Sequence, residues 1–248
     1  MKEFGRFPDI EVSKLNNFFA TDYIRAHCHA AAAPAAKSLI MRGTVVKFIP
    51  SIIIFASFII STNLWAAAYC GELGNVRDYT SDEQRTFLRT VEEHHFTANI
   101  ENLRYGNTGT LGGDLSYTLL IFPNHHRALA AFGKLSLREK TLKPTGAKYS
   151  VGCFFDRAIR YKPNDAMVRM VYGNYLSKAG QIDKATEQFQ IAVNLEPENP
   201  TINYNLGLLY MKKKNYEQAN TYAKKAYELG FPLPGLKNQL MEMGKWND

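Results

Sequence analysis

Histidines are the side chains whose type could support metal binding or acid–base chemistry. Four of them follow residue 69, as the adjacent pairs His94-His95 and His125-His126. Adjacent residues of a helix point about 100° apart, so neither pair places two ligands on one face. No His-x-x-x-His or paired-cysteine motif accompanies them. We therefore predict no metal site and expect these histidines in turns or at the surface.

The usual signatures of catalysis are also missing from the sequence. It contains no Gly-x-Ser-x-Gly motif, no Cys–His arrangement with a third partner and no signature carboxylate pair. Residues 106–113 are glycine-rich, but a phosphate loop needs a preceding strand and a following Lys-Ser/Thr pair. We predict a protein that is not an enzyme and has no cofactor. An enzyme with a site in residues 70–125 stays as an alternative.

Cysteine placement allows one disulfide. Cys70 and Cys153 are the two cysteines that follow residue 69, and Cys28 lies near the start of the chain. In an oxidising compartment, Cys70 and Cys153 could join the N-terminal segment to a later helix. The alternative is that Cys153 is a small core residue and Cys70 a free thiol.

Residues 41–68 have the order of a secretory signal peptide. A short basic stretch at 41–47 is followed by uncharged residues 48–60, and Ala66-Ala67-Ala68 offers small residues for cleavage. The alternative is an uncleaved membrane anchor over residues 48–68, which is barely long enough to span a bilayer. In both cases the basic residues stay cytoplasmic and the remainder is exported. We predict a periplasmic protein of the bacterial envelope, with inner-membrane association if the segment is retained.

Residues 1–40 do not fit this order, because a signal peptide normally begins the chain. They include an alanine-rich run at 30–36 and show no sustained periodicity. They are either a real leader or an extension that arises from too early a start codon. We favour the extension, with Met41 as the true start, and leave these residues out of the fold prediction.

Composition is typical of a soluble globular protein. The chain has 248 residues, 46% hydrophobic and 21% charged, which excludes a mostly disordered, collagen-like or polytopic membrane protein. The net charge is +7, but the residues after 68 hold only 23 Lys/Arg against 19 Asp/Glu. This small excess predicts no nucleic-acid partner.

A 34-residue repeat organises the C-terminal half of the chain. Gly173 and Gly207 are separated by 34 residues, and so are Ala185 and Ala219. Small residues at these offsets let two antiparallel helices approach closely, so each unit is predicted to be a helix, a turn and a second helix. A proline near the end of each unit disfavours further helix.

These residues resemble the tetratricopeptide repeat, as it occurs in small exported bacterial proteins. Residues 166–199 and 200–233 match its pattern, and residues 114–165 match it as degenerate units. The resemblance implies an all-α, right-handed solenoid. We expect a partly irregular N-terminal segment over 69–113, with the glycine-rich loop at its end, and a C-terminal cap over 234–248.

Two helices should close the ends of the array. A helix over 82–95 should begin with a cap from Ser81 or Asp82. At the other end, a short helix should bury Leu236, Leu240 and Met243 on the last repeat.

The resemblance also implies where a partner binds. Tetratricopeptide arrays hold extended peptides in a concave groove lined by the first helix of each unit. Asn174 and Asn205 match the asparagines of the family's carboxylate clamp, but Met170 stands where the clamp has a lysine. We therefore predict a general peptide groove, with packing of Tyr172 in the core as the alternative. The predicted groove residues are Arg169, Tyr172, Asn174, Tyr204 and Asn205.

The predicted function is a non-catalytic exported scaffold or assembly factor that binds a protein or peptide partner. The alternative is a membrane-anchored accessory subunit of an envelope transport or secretion system. The two differ in whether residues 48–68 stay attached to the chain.

Overall fold

The computed structural model describes residues 70–246, and every regular element in that range is helical. The predictions made for residues 1–40 and 41–68, including the start at Met41, lie outside the described residues. A 3₁₀ turn at Asp82–Gln84 comes first. The α-helices are α1 Arg85–His95, α2 Ala98–Glu101, α3 Leu111–Ile121, α4 His126–Glu139, α5 Val151–Tyr161, α6 Ala166–Lys178, α7 Ile182–Leu195, α8 Pro200–Lys212, α9 Tyr216–Glu228 and α10 Gly235–Glu242.

The two strongest repeats are the helix pairs α6–α7 and α8–α9. A Cβ added at Gly173 would lie only 2.8 Å from Cδ2 of Phe189, so the pair α6–α7 packs too closely for any larger residue there. Ala185 and Ala219 are fully buried on the second helices. The predicted all-α helix–turn–helix solenoid is confirmed.

Side-chain caps start the first helix of each repeat. Asp165 accepts a hydrogen bond from the backbone N–H of Val168 at 3.1 Å, and Asn199 accepts one from Ile202 at 3.2 Å. These bonds satisfy N–H groups that have no partner within the helix. Pro200 occupies the first position of α8, where its missing N–H costs nothing.

The degenerate unit α4–α5 packs differently from the two repeats. Its glycine, Gly133, lies closest to Tyr175 of the next first helix, since an added Cβ would be 3.1 Å from Cδ2 of that tyrosine. Residues 140–150 form the long connection between α4 and α5. Because that loop separates the pair, α4 packs mainly beside α6.

Both ends of the array differ in detail from the sequence prediction. Ser81 makes no side-chain cap, and the first turn of the predicted 82–95 helix is 3₁₀. At the other end Leu236 and Leu240 are fully buried against Ala219. Met243 follows the last residue of α10 and is 47% exposed. Within residues 70–246, no helix has both the length and the apolar character needed to cross a membrane.

Candidate functional site

The first helices of the two repeats lie side by side and form one surface, here called the α6–α8 surface. Nδ2 of Asn205 on α8 lies 3.9 Å from the sulfur of Met170 on α6. Nζ of Lys212 donates to the backbone oxygen of Ser177 at 2.7 Å. These contacts join the two helices in their N-terminal halves and at their C-terminal ends.

Two predicted asparagines present amide groups on this surface. Asn174 is half-buried and makes no hydrogen bond within the described residues. Nδ2 of Asn205 donates to the backbone oxygen of Thr201 at 2.8 Å, while its Oδ1 accepts no hydrogen bond from residues 70–246. The surface therefore keeps a complete amide at Asn174 and an acceptor at Asn205 available to a ligand.

Arg169 and Tyr172 are not brought to the same face as Asn174. Arg169 precedes Asn174 by five residues, which rotates it about 140° around the helix. Its Nη1 donates to Oε1 of Gln188 on α7 at 3.1 Å, and burial lowers the pKa of its guanidinium. Tyr172 stacks on the buried Phe155 of α5, with ring centroids 4.4 Å apart. Both side chains are held between helices, so the structure does not bring them together with Asn174 as the sequence predicted.

Tyr204 lies toward the C-terminal cap. Its ring stacks on Phe231 with centroids 3.9 Å apart and meets Tyr227 edge-on at 6.3 Å. Tyr204 thus belongs to the end of the array, away from the contact that Asn205 makes with Met170.

The two helices of the α6–α8 surface contribute basic side chains and no acidic ones. Neither α6 nor α8 contains an aspartate or a glutamate between its first and last residues. Lys178 and Lys212 close the two helices, and both are exposed. The last turns therefore present two cations without a neighbouring carboxylate on the same helices.

The preceding first helix, α4, is covered by the N-terminal segment. Nε of Arg127 donates to Oε1 of Glu101 at 2.8 Å, and Nη1 of Arg138 donates to the backbone oxygen of Leu103 at 2.6 Å. Both arginines are at the ends of α4, and both acceptors are in or just after α2. Within the described residues, this covering segment reaches α4 and leaves α6 and α8 open.

A disulfide and two arginines hold the first described residues against α5. Cys70 and Cys153 are bonded, with a Cα–Cα distance of 5.1 Å. Nη1 of Arg157, a residue only 1% exposed, donates to the backbone oxygen of Glu72 at 2.7 Å. Nη2 of Arg160 donates to the backbone oxygen of Gly71 at 2.9 Å. Burial lowers the pKa of Arg157, since backbone oxygens carry no full charge to offset it.

One histidine–carboxylate pair joins the N-terminal segment to the turn before α4, and a second joins α4 to the start of α6. His125 is fully buried in the turn before α4, with Nε2 3.0 Å from Oε1 of Glu92. His126 lies 2.9 Å from Oδ1 of Asp165 through Nε2. His94 is exposed, and His125 lies in a turn, as the sequence predicted for these histidines, but His125 is buried there. Among residues 70–246, no group of three or more His, Cys, Asp or Glu side chains is placed to hold a metal.

Asp114 organises the glycine-rich loop. It is buried, and its Oδ2 accepts a hydrogen bond from the backbone N–H of Asn107 at 2.7 Å. Its Oδ1 lies 2.9 Å from Nδ1 of His95. Burial raises the pKa of Asp114, but the hydrogen bonds led by that from Thr108 outweigh burial and lower it overall. The loop is therefore built around this carboxylate.

Sequence reasoning did not find these polar clusters. An aspartate at 114 inside an apolar helix is a signal of a buried carboxylate, but its partner His95 is 19 residues away. The partner of His125, Glu92, is 33 residues away. Pairings at such separations depend on the packing of whole helices.

Two protein-family models match the repeat region. A model described as TPR repeat matches residues 173–214, and one described as tetratricopeptide repeat matches residues 200–229. Together they cover α8 and α9 and reach back into α6. The resemblance drawn from the sequence is confirmed for these residues.

One curated protein and several solved structures are similar to this chain at low identity. An uncharacterized protein of Haemophilus influenzae is 28% identical over 117 residues, which is 47% of this chain and 61% of the relative's length. A structure described as the functional characterization of Pseudomonas aeruginosa PilF is 20% identical, with 65% of this chain and 69% of that chain covered and a TM-score of 0.46. A structure of MamA, described as MSR-1 C2, is 16% identical, with 71% and 95% covered and a TM-score of 0.40. At these TM-scores the likeness carries no argument about function.

Proposed function

We propose, from the tetratricopeptide repeats that residues 173–229 form, that this protein is a non-catalytic scaffold that binds a protein partner on its α6–α8 surface. Repeat arrays present extended surfaces of this kind to other proteins. The observation that carries the proposal is the open pair of first helices, which leaves the amide of Asn174 and Oδ1 of Asn205 available to a ligand.

The partner segment is acidic and extended. Lys178 and Lys212 are exposed at the ends of α6 and α8, and neither helix carries an acidic residue. Complementary charge on a partner guides its approach and its register. An extended backbone has unpaired N–H and C=O groups, which the amides of Asn174 and Asn205 can bond at about 0.5–1.5 kcal/mol each.

The protein acts outside the cytoplasm as an assembly factor. The signal-like order of residues 41–68 supports export. The Cys70–Cys153 disulfide supports it independently, because disulfides persist in oxidising compartments. A scaffold in that compartment has exported proteins as its partners.

Charge reversal tests the binding surface. Capture from the native envelope should be performed with the wild type, with the double variant Lys178→Glu/Lys212→Glu and with the matched control Lys184→Glu/Lys225→Glu on the second helices. We expect one partner to be retained by the wild type and the control and lost by the surface variant, with equal helicity in all three. Retention by the surface variant would place binding elsewhere.

The mature N-terminus tests export. Terminal peptides from native cells should begin near Tyr69 if the signal segment is cleaved. A terminus at Met41 on a membrane-bound protein would favour the anchored accessory subunit, and peptides from residues 1–40 would show that the upstream extension is translated.

A further inference from the structure

A cavity of about 380 Å³ lies at the C-terminal end of the array, apart from the α6–α8 surface. It is formed between α9, α10 and the segments that follow each of them. Its apolar walls are Tyr227, Phe231, Pro232, Pro234 and Trp246. A volume of this size is at the lower end of the range for ligand pockets, so it can hold a small group such as a side chain with its adjoining carboxylate.

The aromatic walls are held in place by the fold. The rings of Tyr227 and Trp246 lie 6.3 Å apart at 61°, so they form two sides of a corner. The hydroxyl of Tyr227 accepts a hydrogen bond from the backbone N–H of Lys237 at 3.0 Å. Phe231 is fixed from behind by stacking on Tyr204. A ligand therefore meets a preformed aromatic corner.

Two lysines from different helices converge on this corner. Nζ of Lys237 lies 5.0 Å from the ring centroid of Trp246, and Nζ of Lys224 lies 5.8 Å from it. Neither lysine forms an ion pair within residues 70–246, although Glu228 lines the same cavity. Two like charges held at one ring repel each other, and an anion between them would offset that repulsion.

We propose that this cavity binds the C-terminal residue of a partner polypeptide, with an apolar side chain in the corner that the two rings form and the carboxylate near Lys224 and Lys237. A C-terminal apolar residue carries both the apolar side chain and the carboxylate on its Cα. Leu233, between the two prolines of the wall, is 60% exposed, so an apolar surface continues outside the cavity where the preceding residues of a polypeptide can lie.

Intrinsic fluorescence offers a direct test in the full chain. The sequence has two tryptophans, Trp65 and Trp246, so the variant Trp65→Phe reports on the cavity alone. The probe is an acetylated, otherwise uncharged hexapeptide that ends in phenylalanine with a free carboxylate. We expect a saturable change in Trp246 fluorescence, with binding at least about ten-fold weaker for the same peptide ending in a carboxamide.

Matched variants separate this site from the α6–α8 surface. In the same background, Lys224→Gln/Lys237→Gln should weaken binding of the carboxylate peptide by at least about ten-fold. Two control variants should bind the carboxylate peptide as tightly as this background does. One is Lys225→Gln, which changes the neighbour of Lys224 on α9, and the other is Asn174→Ala/Asn205→Ala on the α6–α8 surface. Circular dichroism of each variant checks that the helices are intact.

Three results would overturn the proposal. They are equal binding of the carboxylate and carboxamide peptides, no saturable change in fluorescence at millimolar peptide, and binding of N-acetylphenylalanine as tight as that of the hexapeptide. The last would assign the cavity to a free carboxylic acid, with no role for a polypeptide.

Discussion

His125 is the buried titratable residue that links the N-terminal segment to the repeats. Its Nδ1 accepts a hydrogen bond from the backbone N–H of Ala128 at 3.2 Å and so caps α4. Burial lowers the pKa of His125 below its usual value, against the opposing effect of Glu92. A protonated ring could no longer accept from Ala128, so the neutral form is the one that fits the fold.

Stability should therefore fall as the pH drops below the ordinary histidine pKa of about 6.5. Above that value His125 is neutral in both the folded and the unfolded chain. Below that pH the unfolded chain binds a proton at His125 and the folded protein does not. The free energy of unfolding therefore decreases by up to about 1.4 kcal/mol for each pH unit. Urea unfolding between about pH 5.5 and 7.5 measures this slope.

Two variants assign the slope to one residue. His125→Asn retains a capping side chain but cannot titrate, so its stability should depend less on pH. Because the variant loses the buried ring, its stability at pH 7.5 should be lower than that of the wild type. His94→Gln, at an exposed position, should keep the wild-type slope. If His125→Asn and wild type show the same slope, another group controls the pH dependence.

At the residue scale, the sequence predicted which residues lie on the first helices better than it predicted where their side chains point. Asn174 and Asn205 face the α6–α8 surface, because the family pattern fixes their helical phase. Arg169 and Tyr172 lie on the same helix as Asn174 but at other angles around it, and contacts with Gln188 and Phe155 hold them between helices. Such contacts depend on the packing of three helices and are not contained in one repeat.

The turns that end α6 and α8 differ in one informative position. Gly180 follows α6 with φ of 80°, and Lys214 occupies the place 34 residues later with φ of 59°. A left-handed conformation is strained for a residue with a Cβ. Lys214→Gly should therefore raise the free energy of unfolding by about 0.5–1 kcal/mol.

The neighbouring residue provides the control for this turn. Lys213 has φ of −75°, so Lys213→Gly gains no relief and should lower the stability. Urea midpoints of both variants test the assignment. A loss of stability in Lys214→Gly as large as that in Lys213→Gly would show that the left-handed residue carries no strain.

Alanines set the distance between the helices of each repeat. Ala185 and Ala219 have no exposed surface, so a larger side chain must displace the facing helix. Ala185→Leu and Ala219→Leu should each lower the stability by about 1–3 kcal/mol. Thr221→Leu, on the exposed side of α9, should change little. Unchanged thermal midpoints in both alanine variants would contradict the register of the repeats.

At the element scale, periodicity was sufficient for the C-terminal half. The 34-residue offset predicts the pairs α6–α7 and α8–α9, because both helices of each pair carry their own small residues. The cap α10 follows from Leu236 and Leu240, which the last repeat needs to cover its apolar face. The region before α6 has no such repeat, and its short α2 and long 140–150 connection depend on contacts with α4 and α3.

At the scale of the whole described chain, residues 70–246 form a helical array whose first described segment packs on α4 and α5 and does not reach α6 or α8. The Cys70–Cys153 disulfide and Arg157 hold the start of the described chain to α5. Residues in and after α2 cover α4, as the contacts of Arg127 and Arg138 show. Within the described residues these segments leave the α6–α8 surface uncovered, and binding of a partner there is the central claim of the proposed function.

The most direct test is to measure by calorimetry the affinity of the captured partner for the wild type and for the variant Asn174→Ala/Asn205→Ala. Removing two amides that bond a bound backbone should weaken the affinity about 10-fold or more. The control is Asn194→Ala, an exposed asparagine on the second helix α7. We expect weaker binding for the double variant alone, with a circular dichroism spectrum equal to that of the wild type. An unchanged affinity in a folded double variant would contradict it.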